Sequence, residues 1–239
     1  TRLEMGANTV DVETPSHRKL ARTPQEAVAG IKDGDLLLVG GWGGIGVPHE
    51  LILATSKLPV RNLTLVSNNC GTGIAGDVGE LFKAGLISKV ITTFPVHTEA
   101  VDYLDRVKKG EVEVELTPQG TLAERLRCAG AGLGGFFTPT GVGTELGENK
   151  ESRVINGREF ILEQPLHGDF AIIKADLADE MGNLRFRFAA RSFNPLMAMA
   201  ARKTIVEVRE LVPVGAIKPD DIHLPGIFVD TIYVSGSGS

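Results

Sequence analysis

The stretch that decides the fold of this chain is DGDLLLVGGWGGIGVP, residues 33–48. Four apolar residues, 36–39, run into a segment with five glycines among seven residues, 40–46. A short apolar run ended by glycine predicts a buried strand, and Pro48 predicts that a helix begins just after the glycines. Within the segment, GWGGIG (41–46) has the G-x-G-x-x-G spacing of a dinucleotide-binding turn. The segment therefore binds a dinucleotide, binds another phosphate-bearing ligand, or only turns the chain.

The dinucleotide interpretation fails its own requirement. Such a site needs an acidic residue roughly 20 residues beyond the glycines, at the end of the next strand, to bind a ribose hydroxyl. The next apolar run ends at Asn69, and no acidic residue lies between Arg61 and Asn69. Glycines that only permit positive φ in a tight turn remain an alternative, although five exceed what a turn requires. Because open α/β sheets bind ligands at the carboxyl ends of their strands, we predict a ligand-binding loop.

Helix and strand signals alternate along the rest of the chain. Thr23-Pro24-Gln25-Glu26 has the pattern of a capping box with proline at the first helical position, and Thr121-Leu122-Ala123-Glu124 repeats the capping box. Short apolar runs such as 63–66 separate the helices, and Asn156-Gly157 between alternating apolar residues predicts a β-hairpin. The sequence thus predicts an α/β fold: a mainly parallel open sheet with helices on both faces and an antiparallel hairpin insertion.

Length and composition favour one domain. Within the 239 residues we predict a domain over 23–234, an N-terminal extension, 1–22, and a linker-like tail, 235–239. The formal charge of -5 is dispersed, which argues against a nucleic acid partner, and no apolar run is long enough for a membrane span. The two cysteines and five histidines have no metal-ligand spacing, so we expect no metal site. Sparse cysteine is also typical of a cytoplasmic protein.

Residues 33–48 as a whole resemble the first signature of family I coenzyme A transferases, with Trp42 where phenylalanine is usual. Other segments continue the resemblance over nearly the whole domain, and it identifies the chain with the α (A) subunit or N-terminal half. These segments are Val66–Asn69, Leu116–Arg125, Phe137–Gly141, Phe193–Pro195 and Pro225–Ile227.

The resemblance implies a covalent mechanism whose nucleophile is on another chain. Family members form a glutamyl thioester on a glutamate in a Ser-Glu-Asn-Gly motif of the β (B) subunit or C-terminal half. This sequence lacks the motif, and we interpret the partial lookalike at 147–150 as a solvated loop. We therefore expect no catalytic residue here, no permanent cofactor, and coenzyme A as a substrate. The expected partner is a β subunit carrying the catalytic glutamate, in an α2β2 heterotetramer that takes acyl-CoA and carboxylic acids.

The same resemblance assigns site residues. The coenzyme A segment is the whole glycine loop: Gly40, Gly41, Trp42, Gly43, Gly44, Ile45 and Gly46. Asn68, Asn69 and Gln119 are candidates for hydrogen bonds to an acyl oxygen. The asparagines have a second interpretation, since asparagine after a strand often caps the next turn.

Two acid pairs compete for the substrate: 3-oxoadipate with succinyl-CoA, and acetoacetate with succinyl-CoA. Thr93-Phe94-Pro95 and Leu162–His167 resemble the 3-oxoadipate enzymes more closely, with weaker support from 197–201. A dicarboxylate requires a cation at its far end, for which Arg185, Arg187 and Arg191 are candidates. The alternative class of function is a non-catalytic module that binds coenzyme A or a sugar phosphate.

Overall fold

The structure of the chain is a computed structural model that describes residues 19–95 and 97–236. Most of the expected N-terminal extension, 1–22, and residues 237–239 of the expected tail lie outside the described residues. The helices are α1 Pro24–Val28, α2 His49–Thr55, α3 Gly79–Lys83, α4 Val101–Lys108, α5 Gln119–Gly130 and α6 Asn194–Ala200. The strands are β1 Leu36–Val39, β2 Leu63–Asn69, β3 Ile87–Phe94, β4 Glu113–Leu116, β5 Phe136–Thr138, β6 Ser152–Ile155, β7 Arg158–Glu163, β8 Gly168–Asp179, β9 Leu184–Arg185, β10 Ala201–Val212 and β11 Thr231–Val234.

The main sheet contains eight strands within the described residues. All but β9 run parallel, in the order β11-β10-β8-β1-β2-β3-β4, and β9 pairs with β8 in the antiparallel direction. At the centre, Leu38 of β1 pairs with Val66 of β2 on one side and with Ala171 of β8 on the other. The loops that follow β1 and β2 therefore leave the same edge of the sheet side by side. The predicted mainly parallel sheet is confirmed.

Helices cover both faces of this sheet. Side chains alternate along a strand, so Leu37 and Leu38 point to opposite faces. Leu37 belongs to a buried cluster with Leu51 of α2 and Phe82 of α3, whereas Leu38 belongs to a second cluster with Leu126 of α5. The two clusters show that the sheet is buried on both sides, as its continuous apolar strands predict.

The antiparallel insertion is a separate three-stranded sheet in the order β5-β7-β6. Asn156 and Gly157 join β6 to β7 with φ angles of 50° and 77°, which are those of a type I′ turn. Asparagine and glycine are the residues that adopt this left-handed conformation most readily. The predicted hairpin is therefore confirmed, and β5 extends it by a strand that the sequence did not predict.

The two predicted capping boxes have different outcomes. Thr23 does cap α1, because its Oγ1 accepts a hydrogen bond from Glu26 N at 3.1 Å. The second box is wrong: α5 begins at Gln119, directly after Pro118, and Thr121 is buried inside the helix. Proline before the first helical turn was the better signal for where α5 begins.

Candidate functional site

The glycine loop, 40–46, leaves β1 at the carboxyl edge of the main sheet. Gly40 N donates to Ile172 O of β8 at 3.0 Å, so the loop is still attached to the sheet at its start. Trp42 and Ile45 then exchange two backbone hydrogen bonds of 2.9 and 3.0 Å. Both side chains project from this turn and are 48% and 47% exposed. The tip of the loop thus presents an indole and an aliphatic side chain to a ligand or a partner.

Close packing requires two of the loop glycines. A Cβ on Gly40 would lie 1.8 Å from Asn194 Oδ1, and a Cβ on Gly46 would lie 2.5 Å from Ala190 O. Gly46 also has a φ of 70°, which disfavours any other residue. Gly43 also has a positive φ, 58°, but nothing lies within 4 Å of the place where its Cβ would be. Its backbone is open to a ligand, so the loop combines structural glycines with an accessible one.

Asn68 and Asn69 end β2 beneath the glycine loop, and both are buried. Asn68 Nδ2 donates to Thr93 Oγ1 at 2.9 Å. Asn69 Nδ2 donates to Gly43 O at 3.3 Å, and its Oδ1 accepts from Gly71 N at 2.9 Å. These amides hold the loop and the chain that follows β2. Each Nδ2 carries a second hydrogen, which is the donor that a ligand above the strand end could use.

A cavity of about 600 Å³ opens beside Trp42. Its other walls are the first turn of α5, with Gln119 and Gly120, and residues 189–196, with Ser192 and Phe193. The lining is mainly aliphatic and aromatic, with two polar side chains, Gln119 and Ser192. Such a space fits the acyl part of a substrate better than a nucleotide.

Gln119 lies in this cavity, apart from Asn68 and Asn69. Its side chain is exposed there, whereas both asparagine amides are hydrogen-bonded within the protein. Pro118 precedes α5 and provides no side-chain cap, so no side chain of the N-cap residue satisfies the first N–H groups of the helix. An uncapped helix start carries a partial positive charge, which favours a carboxylate or a developing oxyanion. The predicted acyl contacts therefore lie in two places: Asn68 and Asn69 at the end of β2, and Gln119 in the cavity.

Residues 188–193 form a second wall of the cavity, which the sequence did not predict although it singled out Arg191 and Phe193. Phe188 and Ser192 have φ angles of 48° and 26°, a conformation that residues other than glycine rarely adopt. The Ser192 Oγ is buried and makes no hydrogen bond within the described residues. Strained residues of this kind persist only where surrounding contacts hold them, and they cluster at functional sites. No composition or spacing signal reports a positive φ at serine, which is why this backbone conformation was not predicted.

The three arginines considered as partners for a distal carboxylate are exposed and do not line the cavity. Arg187 places its guanidinium over the Phe188 ring, 5.1 Å from the centroid. Arg185 and Arg191 lie near His223, where burial first and these two charges next lower the pKa of the imidazole. Among the described residues, no lysine or arginine contributes to the cavity lining.

Segment 147–150, the lookalike of the glutamate motif, lies away from the cavity in the hairpin insertion. Glu148 and Asn149 are exposed, and Lys150 forms an ion pair with Glu163 at 2.6 Å. In the part of the chain that the structure describes, no group of three histidine, cysteine or acidic side chains could hold a metal ion. None of the described helices is long and apolar enough to span a membrane.

We expect both cysteines to be unreactive in the folded chain. Burial raises the pKa of the Cys70 thiol to about 12, and a hydrogen bond with Thr92 offsets only part of that rise. Cys128 is also buried, and its Sγ donates to Leu133 O at 3.4 Å. Because thiolate is the reactive form, an aromatic disulfide reagent at pH 8 should modify neither thiol until guanidinium unfolds the chain.

The raised pKa of Cys70 also makes the stability of the folded chain depend on pH. The pKa of Cys70 in the folded chain lies above the ordinary value of 9.0, so its contribution to stability is complete below pH 9. That contribution is lost as the pH rises toward 12. Rapid modification of Cys70 in the native chain at pH 8 would contradict the prediction.

Comparison with known proteins places the chain in one family. The family model described as coenzyme A transferase matches residues 21–235. The chain is 49% identical over 208 residues to the A subunit of succinyl-CoA:3-ketoacid coenzyme A transferase of Helicobacter pylori, covering 87% of this chain and 88% of the relative. It is 47% identical over 214 residues to the A subunit of 3-oxoadipate CoA-transferase of Pseudomonas putida, covering 89% and 92%.

A solved structure shares the fold. The acyl-CoA transferase of Escherichia coli O157:H7, described as a thioester complex with CoA, superimposes with a TM-score of 0.77 at 22% identity. The match covers 90% of this chain and 47% of that chain, so this chain spans about half of its length.

Proposed function

The chain belongs to the coenzyme A transferase family, as an α (A) subunit, and we propose that it moves coenzyme A from succinyl-CoA to a 3-oxo acid together with a B subunit. In this family coenzyme A is a substrate, carried as a thioester, and no permanent cofactor is needed. The proposal includes an α2β2 assembly in the cytoplasm and a domain over 23–234.

One observation carries the proposal: the glycine loop and the uncapped start of α5 face the same cavity. Trp42 belongs to the glycine loop and Gln119 to the start of α5, and both side chains line this cavity. An amide donor and a helix N-terminus stabilise negative charge on an acyl oxygen when a carboxylate attacks a thioester. The loop backbone near Gly43, which has open space above it, suits the coenzyme on the adjoining side.

In this proposal the attacking carboxylate comes from the B subunit. No glutamate or aspartate lines the cavity among the described residues. In the proposed reaction, the partner's glutamate attacks the acyl-CoA carbonyl, forming an anhydride and releasing the coenzyme A thiolate. The thiolate attacks the glutamyl carbonyl, which releases the first acid and leaves a glutamyl thioester. The acceptor acid then reverses these steps and departs as its own coenzyme A thioester.

The sequence favours 3-oxoadipate as the acceptor acid, and the relative named for a 3-ketoacid supports acetoacetate as a second candidate. A second carboxylate in an apolar cavity requires a cationic partner. None of the cavity-lining residues described is cationic, and Arg185, Arg187 and Arg191 lie elsewhere. Succinyl-CoA, the proposed donor, carries such a carboxylate just as 3-oxoadipate does, so in the proposal the B subunit supplies the cation and the cavity lining does not rank the two acceptor acids.

The test is coenzyme A exchange by the purified chain, by a B subunit, and by the two co-expressed. We expect exchange only from the complex, because the nucleophile and the cavity are on different chains. Succinyl-CoA is assayed against 3-oxoadipate and against acetoacetate, and the ratio of the two kcat/KM values ranks the acids.

Exchange by the purified chain alone would contradict the assignment of the nucleophile to the partner. Tight binding of coenzyme A by the lone chain, with no activity gained on mixing, would instead support the non-catalytic binding module. Equal kcat/KM values for the two acids would remove the basis for preferring either.

A further inference from the structure

Asn194 connects three separate parts of the molecule through one buried amide. The residue is fully buried, at 0% exposure. Its Oδ1 accepts a hydrogen bond from Lys174 N of β8 at 3.1 Å. Its Nδ2 donates to Gly46 O of the glycine loop at 3.0 Å and to Ala190 O of residues 188–193 at 2.8 Å. The sheet, the loop and the second wall of the cavity therefore meet at this side chain.

The amide also fits between the two ends of the glycine loop. A Cβ on Gly40 would collide with Asn194 Oδ1 at 1.8 Å, and a Cβ on Gly46 would lie 2.9 Å from Asn194 Nδ2. The two glycines and the asparagine are thus matched in shape as well as in hydrogen bonding. All three donor and acceptor contacts are directional, so the amide can fix a distance as well as fill a space.

The elements that Asn194 joins are the two walls of the cavity. Trp42 comes from the glycine loop, and Ser192 and Phe193 come from the second wall. The second wall contains strained backbone at Ser192, which would relax if its contacts were removed. The bond from Asn194 Nδ2 to Ala190 O is one of the contacts that restrain it.

We propose that Asn194 is a positioning residue that fixes the separation of the Trp42 wall from the 188–193 wall. It is buried behind the loop and does not reach the cavity, so it acts through the loop and not on the substrate. The contrasting expectation is that Asn194 is only a satisfied polar residue of the core. In that case its replacement lowers stability and leaves the geometry of the cavity unchanged.

Trp42 distinguishes the positioning role from the purely structural one. It is the only tryptophan in the sequence, and it lies on the wall whose position Asn194 is proposed to fix. Intrinsic fluorescence and acrylamide quenching of the full chain report its surroundings without any assay of activity. For Asn194→Ala and the isosteric Asn194→Asp we expect a red-shifted emission and stronger quenching, with an unchanged far-UV circular dichroism spectrum. Asn194→Asp retains the Oδ1 acceptor but loses both donor hydrogens and buries a carboxylate against two carbonyl oxygens, so Asn194→Ala, which adds no charge, decides the role if Asn194→Asp does not fold.

Asn183→Ala is the matched control. The Asn183 amide also bridges distant segments, donating to Asp179 Oδ2 at 2.8 Å and accepting from Gly226 N at 2.8 Å, away from the glycine loop. It should leave Trp42 unchanged. Native-like emission and quenching of Trp42 in a folded Asn194 variant would overturn the proposal.

A second readout rests on the proposed function. In the complex with the B subunit, we expect Asn194→Ala to lower kcat about 10²-fold with a much smaller change in KM, as for a displaced wall that still binds substrate. An unchanged kcat would overturn the positioning role. If the wild-type complex exchanges no coenzyme A, the proposed function fails, and the fluorescence result still decides the role of Asn194.

Discussion

Replacing Lys174 with methionine is expected to lower the free energy of unfolding by about 3–5 kcal/mol, because it leaves a buried carboxylate without its cation. Lys174 Nζ lies 2.6 Å from Glu207 Oε1, and the Glu207 side chain is only 1% exposed. The other oxygen accepts hydrogen bonds from Glu50 N at 2.9 Å and Leu51 N at 3.2 Å. These backbone donors satisfy hydrogen-bonding capacity, but they do not neutralise the charge.

Urea unfolding followed by circular dichroism measures the effect as a shift in midpoint at constant slope. Lys109→Met is the control, since Lys109 pairs with Asp105 at 2.7 Å on the surface, where solvent screens the pair. It should change the midpoint little. The double variant Lys174→Met/Glu207→Gln should recover most of the loss, because a neutral amide oxygen can still accept from the helix. Lys174→Met with a wild-type midpoint would show that Glu207 does not need its partner.

Glu207 also explains how the helix after the glycine loop begins. Pro48 precedes α2 and supplies no side-chain cap. The cap comes from β10 instead, as Glu207 accepts from the second and third helical N–H groups, at Glu50 and Leu51. An acidic side chain at that end also complements the helix dipole. The residue that performs this role is 157 positions from Glu50, so no local pattern reveals it.

The fold could be predicted because its main signals are local. The apolar run 36–39 and the turn at Asn156-Gly157 each specify their conformation through neighbouring residues, and the structure bears out both. Thr121 misled because a capping-box pattern is also compatible with a helix interior. Inside α5 the Thr121 side chain is buried and does not cap the helix, and the Glu124 carboxylate accepts a hydrogen bond from Arg127 Nε at 2.8 Å. Tertiary burial decided between two locally reasonable starts.

Local sequence signals predicted only one of the two walls of the site. Glycine spacing identified the loop, since five glycines in seven residues form a local signal. The contact that pairs the loop with the second wall joins Asn194 to Gly46 across 148 positions. Nothing in either segment alone specifies that pairing, nor the left-handed φ of Ser192. Long-range packing creates the cavity, and its lining therefore had to be observed.

Gln119→Ala in the complex with the B subunit is expected to lower kcat on the order of 10²–10³-fold, the usual loss for one donor to a developing oxyanion. The Gln119 side chain lines the cavity and lies at the start of α5, so its amide and the N-terminus of the helix are on the cavity side. Asn68 and Asn69 are less suited, because their amides already hold Thr93 and the glycine loop. The effect should fall on kcat more than on KM, since charge develops only as the carbonyl is attacked.

Gln25→Ala is the matched control, because Gln25 is also an exposed glutamine in a first helical turn but belongs to α1. It should leave exchange unchanged. Gln119→Glu separates shape from hydrogen bonding: it retains the side-chain length and replaces the donor with an anion, so it should be slower than Gln119→Ala. If both Gln119 variants keep wild-type kcat while Asn69→Ala loses activity, the acyl oxygen lies above β2, and the α5 start contributes only to the wall of the cavity.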